Sequence, residues 1–334
     1  MIISRTPFRV SLFGGGTDYP AWFREHGGAV LGMAIDKYCY ITLRHLPPFF
    51  EHRHRIVYSK IENIHSVEEI QHPAVRAILK KMRVEKGVEI HHDGDLPARS
   101  GIGSSSSFSV GLLNALYALE GRIRSKMQLA EEAMSIEQID LSENVGCQDQ
   151  IWAACGGFNR INFSRDGKFN LSPVIMNQER LQTMLDSFVL YFTGFSRFSS
   201  EIAKKQLENM PAKNESLRTI QSMVNEAEAI LTDDKRSLDE LGTLLNEGWK
   251  LKRGLAKEVS TEAIDEIYQA GREEGALGGK LLGAGGGGFI LFYANPKVRK
   301  RIRERLKHLI EINFDIDRAG SSIVFYQPNG LGNS

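Results

Sequence analysis

Three glycine-containing segments, spread from one end of the chain to the other, restrict its possible folds more than any other feature. They run Arg5-Thr6-Pro7-Phe8-Arg9-Val10-Ser11-Leu12-Phe13-Gly14-Gly15-Gly16-Thr17-Asp18, Pro97-Ala98-Arg99-Ser100-Gly101-Ile102-Gly103-Ser104-Ser105-Ser106-Ser107, and Lys280-Leu281-Leu282-Gly283-Ala284-Gly285-Gly286-Gly287-Gly288. Ordering a run of four glycines is entropically unfavourable, and a plain turn needs only one or two. Close approach of backbone to another segment or to a ligand explains such runs better. All three segments make sense together if they converge on one ligand site.

The second segment has the clearest local chemistry. Its four serines directly precede a stretch in which Val110, Leu113, Leu116 and Tyr117 recur at helical spacing. Backbone N–H groups and hydroxyls therefore gather at a helix N-terminus, where the dipole adds ~0.3–1 kcal/mol of attraction for an anion. A simple helix cap would need one serine. No G-x-x-x-x-G-K-[ST] motif occurs, so this is not a P-loop. Gly283, Gly285 and Gly288 happen to match G-x-G-x-x-G, but a dinucleotide fingerprint opens a helix, whereas Phe289 to Tyr293 reads as a strand. A dehydrogenase is excluded on that ground.

Composition narrows the partners. Forty-two Lys and Arg against 41 Asp and Glu leave a formal charge of +1, with no global field to hold nucleic acid or an anionic membrane. Cys39, Cys147 and Cys155 lack C-x-x-C spacing and suggest neither a disulfide framework nor a zinc site. No apolar run approaches the ~18–20 residues of a membrane span, and Arg5 and Arg9 leave no room for a signal peptide's apolar centre. A cytoplasmic location is expected. With 334 residues, the chain is long enough for two domains.

The expected elements begin with strands at Val10–Phe13, Ala29–Ile35 and Tyr38–Leu43, and a short helix at Tyr19–His26. The polar stretch Glu51–Arg55 reads as a loop before a strand at Ile56–Tyr58, followed by a helix at Pro73–Met82 and a strand at Val88–His91 ending in an Asp93-Gly94-Asp95 turn. An uninterrupted helix is expected over Lys126–Leu141, then a non-helical break at Gly146–Gln150. A second domain opens with a strand at Phe188–Thr193. It continues through helices at Ser200–Asn209, Glu215–Leu231, Leu238–Lys252 and Thr261–Glu274, and closes with a basic helix at Pro296–Leu309 and a strand at Ser322–Tyr326.

Asp149, between Gln148 and Gln150, and Glu137, twelve residues upstream, could share a metal–phosphoryl site if one binds the ion and the other faces an acceptor hydroxyl. Glu131, Glu132 and Glu143 compete with Glu137 for the metal role, and by itself an Asp in a Gln-flanked loop is more often a turn residue than a catalyst.

In order and separation, the three segments resemble the signature motifs of the galactokinase, homoserine kinase, mevalonate kinase and phosphomevalonate kinase (GHMP) superfamily, over Arg5 to Gly288. The resemblance implies an ATP-dependent, Mg²⁺-requiring small-molecule kinase of two α+β domains, residues 1–180 and 181–334. The first would be like domain 2 of ribosomal protein S5 and the second ferredoxin-like, with the active site between them. It assigns Gly101, Gly103, Ser104, Ser105, Ser106 and Ser107 to the ATP phosphates, and Gly283, Gly285 and Gly286 to a loop beside them. Ser105, with Ser104 second, and Glu137 would be the Mg²⁺ ligands. Asp149 would be the catalytic carboxylate and Arg9 the cation facing it, an arrangement that favours the charged carboxylate. Because all these groups are present, a non-catalytic sensing module on the same fold is disfavoured.

Where galactokinases have a Glu-His pair, this chain has Gly15-Gly16 before Thr17-Asp18. That pattern, with Ala34-Ile35-Asp36-Lys37-Tyr38 and Cys147-Gln148-Asp149-Gln150, looks most like the bacterial heptose 7-phosphate kinase branch, and L-fucose kinase domains share much of it. The implied acceptor is a sugar phosphate contacted by Gly15, Gly16, Thr17 and Asp18. Arg197 is the leading candidate for its phosphate, against the alternative of a solvated loop arginine.

Overall fold

The computed structural model describes residues 1–194 and 199–329. The chain starts with β1 (Ile2–Phe13), α1 (Pro20–His26) and the long β2 (Gly28–His45), whose first eight residues are all buried. The two strands expected within 29–43 are one. Asp36 and Lys37, whose polarity suggested a break, form a bulge: the β1–β2 register jumps from Pro7 opposite Tyr38 to Phe8 opposite Ile35. Then come β3 (His54–Val57), β4 (Ile61–Ile64), α2 (Pro73–Lys81) and β5 (Val88–Gly94), which carries straight through the expected turn. Helix α3 (Ser104–Leu119) is buried on nearly every face from Ser106 to Ala118, which makes it the axis of this half of the molecule.

Next are α4 (Lys126–Ser135), α5 (Gln148–Cys155), β6 (Phe158–Phe163) and β7 (Phe169–Pro173). The helix expected over 126–141 stops at Ser135 and passes into one π-helical turn, Ile136–Asp140, which carries Glu137. Such turns are rare and often mark functional sites. The expected break at 146–150 is confined to Gly146 and Cys147, because Gln148 already opens α5 and Asp149 sits in its first turn.

The remaining elements are α6 (Gln178–Asp186), β8 (Phe188–Phe192), α7 (Ser199–Asn209), α8 (Asn214–Thr232), α9 (Asp239–Arg253), α10 (Glu262–Glu273), β9 (Gly278–Leu281), β10 (Phe289–Tyr293), α11 (Pro296–Arg305), β11 (Ile310–Ile312) and β12 (Ser322–Tyr326). They form a second, antiparallel sheet in the order β11-β8-β10-β9. The first sheet runs β12-β1-β2-β5-β3-β4, with β6 and β7 continuing from the other half of β2; only its β3–β5 pair is parallel. Strand β12 is therefore not the closing strand of the second unit. It returns to pair with residues 2–5 of β1. Mixed sheets with packed helices give a two-unit α+β architecture. Among the described residues, no helix is long and apolar enough to cross a membrane.

The sheets meet where the glycine run after β9 lies against Ser100-Gly101. A Cβ on Gly288, which has φ +103°, would stand 2.0 Å from the Ser100 carbonyl oxygen. Gly121 also has positive φ but open space around it. Gly288→Ala should therefore lower stability by about 3 kcal/mol or more, through strain plus forced separation of two backbones. Gly121→Ala should lose only about 1 kcal/mol from its φ. Urea melts of both variants check this, and equal losses would mean that the close approach contributes nothing.

Candidate active site

Gly103 caps α3 in the left-handed conformation, φ 74°, with no side-chain cap, so the first N–H groups of the helix face out of the loop unpaired within the helix. The four serines divide the space around that turn. Ser104 Oγ accepts from the Arg99 N–H at 3.0 Å, and Ser105 is exposed. Ser106 Oγ donates to Glu137 Oε2 at 2.9 Å, while Ser107 is buried and donates to the Pro7 carbonyl at 2.8 Å. Ser107, expected among the phosphate-binding groups, instead ties α3 to β1. The hydroxyl that reaches Glu137 belongs to Ser106, not Ser105, because each helical residue turns the side chain by about 100°.

The third segment packs back to back on this loop. A Cβ on Gly283 would be 2.5 Å from Gly101 Cα, and Phe289 N–H donates to the Ser100 carbonyl at 3.2 Å. Gly285 and Gly286 lean on Val259, to which Gly286 N–H donates at 3.0 Å.

Arg9 and Asp149 form a two-pronged ion pair: Nε to Oδ1 and Nη2 to Oδ2, both 2.7 Å. The Arg9 Nη1 donates to the Gly101 carbonyl, and its backbone N–H to the Ile102 carbonyl at 3.0 Å. Gly103 sits directly over the pair, since a Cβ there would be 3.2 Å from Arg9 Cγ and 3.4 Å from Asp149 Oδ2. The loop before α3 and the Asp149 carboxylate are thus in contact. Arg9 is buried, whereas the Asp149 side chain keeps 24% exposure, enough for a ligand to reach it.

Asp18 is buried on the other side of Asp149. It accepts from Gly16 N–H at 3.0 Å and from Gln148 Nε2 at 2.9 Å. Burial pushes its carboxyl above the usual range, and neighbouring Asp149 adds to that push. A Cβ at Gly146 would fall 1.9 Å from Asp18 Oδ2, which explains the break before α5. Thr17, expected to touch the substrate, is fully buried, with Oγ1 2.8 and 2.9 Å from the Gly14 and Ala29 carbonyls. It pins the loop. Gly15 is not crowded: an added Cβ would meet Ser11 Oγ and Gln148 Nε2 only at van der Waals distance, 3.9 and 4.0 Å. Arg197 lies outside the described residues.

Glu137 is fully buried, and Gln150 Nε2 donates to its Oε2 at 2.6 Å. Its Oε1 is buried without a partner. Burial pushes the carboxyl up to about 7 against the pull of these hydrogen bonds. Among the described residues, no cluster of three or more acidic, His or Cys side chains could hold an ion by itself. A buried carboxylate with a free oxygen and a serine beside an anion loop suits Mg²⁺, which usually takes one or two protein ligands and completes its shell with phosphates and water.

Sequence reasoning noted Gln148 and Gln150 only as flanks. In the first turn of α5 the three side chains of Gln148, Asp149 and Gln150 point to three different partners: Asp18, Arg9 and Glu137. It also gave no role to Lys252 and Lys280, which border a cleft beside Gly14 and Gly15.

Residues 68–157 match the family model for the GHMP kinases N terminal domain, and residues 227–311 the model for GHMP kinases C terminal. The chain is 27% identical over 327 residues to a D-glycero-alpha-D-manno-heptose 7-phosphate kinase of Campylobacter jejuni, covering 92% of this chain and 93% of that one. It is 25% identical to the bifunctional fucokinase/GDP-fucose pyrophosphorylase of Arabidopsis thaliana, over 93% of this chain but 31% of the larger protein. A crystal structure of a D-glycero-D-manno-heptose 1-phosphate kinase from Bacteroides thetaiotaomicron superposes with a TM-score of 0.78 at 25% identity, covering 96% and 98% of the two chains.

The Glu137 carboxyl should leave a pH signature on stability. Between its ordinary 4.5 and about 7, the folded protein keeps a proton that the unfolded chain has shed. In chelator, stability should therefore fall as pH rises through about 7, and Glu137→Gln should lack that part of the slope. Lys252, pushed down by burial to about 7, acts with the opposite sign above that pH, so the difference between wild type and variant isolates the carboxyl. Urea melts from pH 5 to 8 check it; parallel curves would deny Glu137 a buried, titrating carboxyl.

Proposed function

The chain belongs to the GHMP kinases, and from that premise we propose that it transfers the γ-phosphoryl group of ATP to the anomeric 1-hydroxyl of D-glycero-D-manno-heptose 7-phosphate, giving the 1,7-bisphosphate for nucleotide-activated heptose and surface glycans. One observation carries the kinase chemistry: the Arg9–Asp149 pair lies between the N-terminus of α3 and the Gly15–Asp18 loop, in contact with Gly103. The heptose acceptor is supported by the glycines where galactokinases have Glu-His, and by the likeness to the Campylobacter enzyme over nearly its whole length.

The unpaired N–H groups and dipole of α3 hold the triphosphate, and the Gly283–Gly288 loop supports that turn from behind. Mg²⁺, when bound by Glu137 with Ser106 or Ser105, supplies charge neutralisation on the phosphates. Asp18 accepts from a sugar hydroxyl. Asp149 accepts from the reacting hydroxyl, and Arg9 fixes the plane of its carboxylate through both oxygens. As the acceptor oxygen bonds to the γ-phosphorus, the bond to the β–γ bridging oxygen breaks and ADP leaves. The hydroxyl proton passes to Asp149. In a loose transition state this transfer comes late, so a carboxylate held by an arginine suffices, and positioning and charge stabilisation carry most of the rate. Such a reaction draws on the ATP and sugar phosphates of the cytoplasm.

Asp149→Asn should reduce kcat by about 10²-fold or more, the range for loss of a general base, with KM for ATP little changed. Stopped-assay kinetics on the purified variant test this, and a near-normal kcat would remove Asp149 from the chemistry. A coupled ADP-release assay with Mg²⁺-ATP tests the acceptor by comparing the heptose 7-phosphate with L-fucose, galactose and mannose. Strong preference for the heptose phosphate, with product phosphorylated at carbon 1, is expected. The fucokinase likeness makes L-fucose the main competitor, and its preferential turnover would retain the kinase and discard the heptose.

A further inference from the structure

Two lysines stand out among the groups that the mechanism does not use. Lys280, on β9, is buried, and its Nζ donates to the Leu12 carbonyl at 2.8 Å. Lys252, in the last turn of α9, donates to the carbonyl of Leu281 at 3.1 Å and to that of Gly283. Among the described residues neither has a carboxylate within the 4.0 Å of an ion pair. Each ammonium has three N–H donors, so the carbonyls leave one unused on Lys252 and two on Lys280. Both border the same narrow cleft, about 20 Å³ in volume and open on one side. One wall is the Leu12–Gly15 backbone, which leads into the acceptor loop, and the other is apolar, with Ile220 and Met223 of α8.

The charges in range do not balance. Arg9 is matched by Asp149, while Asp18 is the one carboxylate felt by both lysines. With both lysines protonated, one positive charge would be in excess. A buried cation without a counter-ion is unfavourable, and two together are more so. A fold retains such a pair where an anion arrives to satisfy it. The cleft borders the acceptor loop, and the N-terminus of α3 is not among its walls, so the anion comes with the acceptor and not with the nucleotide.

We propose that Lys252 and Lys280 form the subsite for a phosphomonoester group carried by the acceptor, and so make the enzyme select a phosphorylated sugar. The proposal rests on the sugar phosphate reading above. It moves the phosphate contact from Arg197 to two residues of the glycine-walled cleft. Burial supports it beside that geometry: it pushes the Lys252 ammonium down to about 7, with the Arg9 charge adding to the effect, and that of Lys280 well below its ordinary range, with the charges of Lys252 and Arg9 adding, so a phosphate dianion would relieve both.

The test compares kcat/KM for the heptose 7-phosphate with that for the same heptose lacking the phosphate, in wild type and Lys252→Met, with folding verified by circular dichroism and melting temperature. Removing a charged hydrogen-bond donor should lower this ratio by about 10- to 100-fold. An unchanged ratio in a folded variant overturns the proposal, as does an equal loss with both sugars or a loss confined to KM for ATP. If the wild type shows no preference for the phosphorylated heptose, the heptose reading fails, and inorganic phosphate decides the subsite. Competitive inhibition against the sugar that is turned over, weakened in Lys252→Met, sustains it, and absence of such inhibition overturns it. Should the variant not fold, acetylation of Lys252 in the wild-type protein, followed by mass spectrometry, replaces it: slowing by inorganic phosphate is expected, and no slowing would overturn the proposal.

Discussion

The contact on which the rest of the structure depends is made of backbone on both sides. Ser100-Gly101 and Leu282–Gly288 lie so close that a Cβ on Gly101, Gly283 or Gly288 would overlap main-chain atoms of the facing segment, at 2.6, 2.5 and 2.0 Å. This contact joins the two sheets, since Phe289, the first residue of β10, donates to the Ser100 carbonyl, while Arg9 on β1 donates to the Ile102 carbonyl. It also explains why glycine occurs there in runs. No side chain can occupy the seam, and the loop before α3 can present its N–H groups outward only because the seam supports it from behind. Exposure of those N–H groups and domain assembly are thereby one packing problem.

Around that seam three carboxylates share a small space, and the fold gives each a different environment. Asp149 is fixed by a guanidinium and partly open, Asp18 is buried with amide donors, and Glu137 is buried with one oxygen unsatisfied. Three like charges at close quarters would disfavour one another, so their partners decide which can be ionised and when. Consecutive residues of α5 supply that separation: Gln148, Asp149 and Gln150 diverge by the helical rotation and meet Asp18, Arg9 and Glu137 in turn. This arrangement is invisible if 146–150 is read as a loop.

The legible parts of the chain were those in which local chemistry and tertiary position agree. The apolar run Phe289–Tyr293 is a fully buried strand, and the serine run opens a helix, although the cap itself is Gly103. The illegible parts are those in which packing overrides local preference. Gly278-Gly279-Lys280-Leu281 has weak strand propensity, yet it pairs with β10 because only glycine fits beneath α9: a Cβ on Gly278 would be 1.9 Å from the Gly242 carbonyl. Asp36-Lys37 reads as a break but is absorbed as a bulge by the long β1–β2 ladder. The terminal strand was readable as a strand but not as a partner of β1, because pairing over more than 300 residues leaves no trace in local pattern. Thr17 and Ser107 carry the motif's residue types but serve the backbone, and motif position cannot tell a hydroxyl that faces a ligand from one that faces a carbonyl.

The return of β12 to β1 limits how this site can close. The second unit leaves the first sheet after β7 and comes back through β12, so it is held at both ends, and the Lys280–Leu12 bond adds a third attachment on the very strand that carries Arg9. A large hinge rotation would have to break the seam, the β12 ladder and that bond together. Selection of the acceptor is therefore better accomplished by what already lines the cleft than by gross domain closure. Gly15 lines the cleft without a side chain, α8 and α9 supply the walls, and in the proposed subsite Lys252 and Lys280 supply the charge. Local shifts of α8 and α9, which pack on each other and touch β1 through few residues, can tighten that cleft without disturbing the geometry of Arg9 and Asp149.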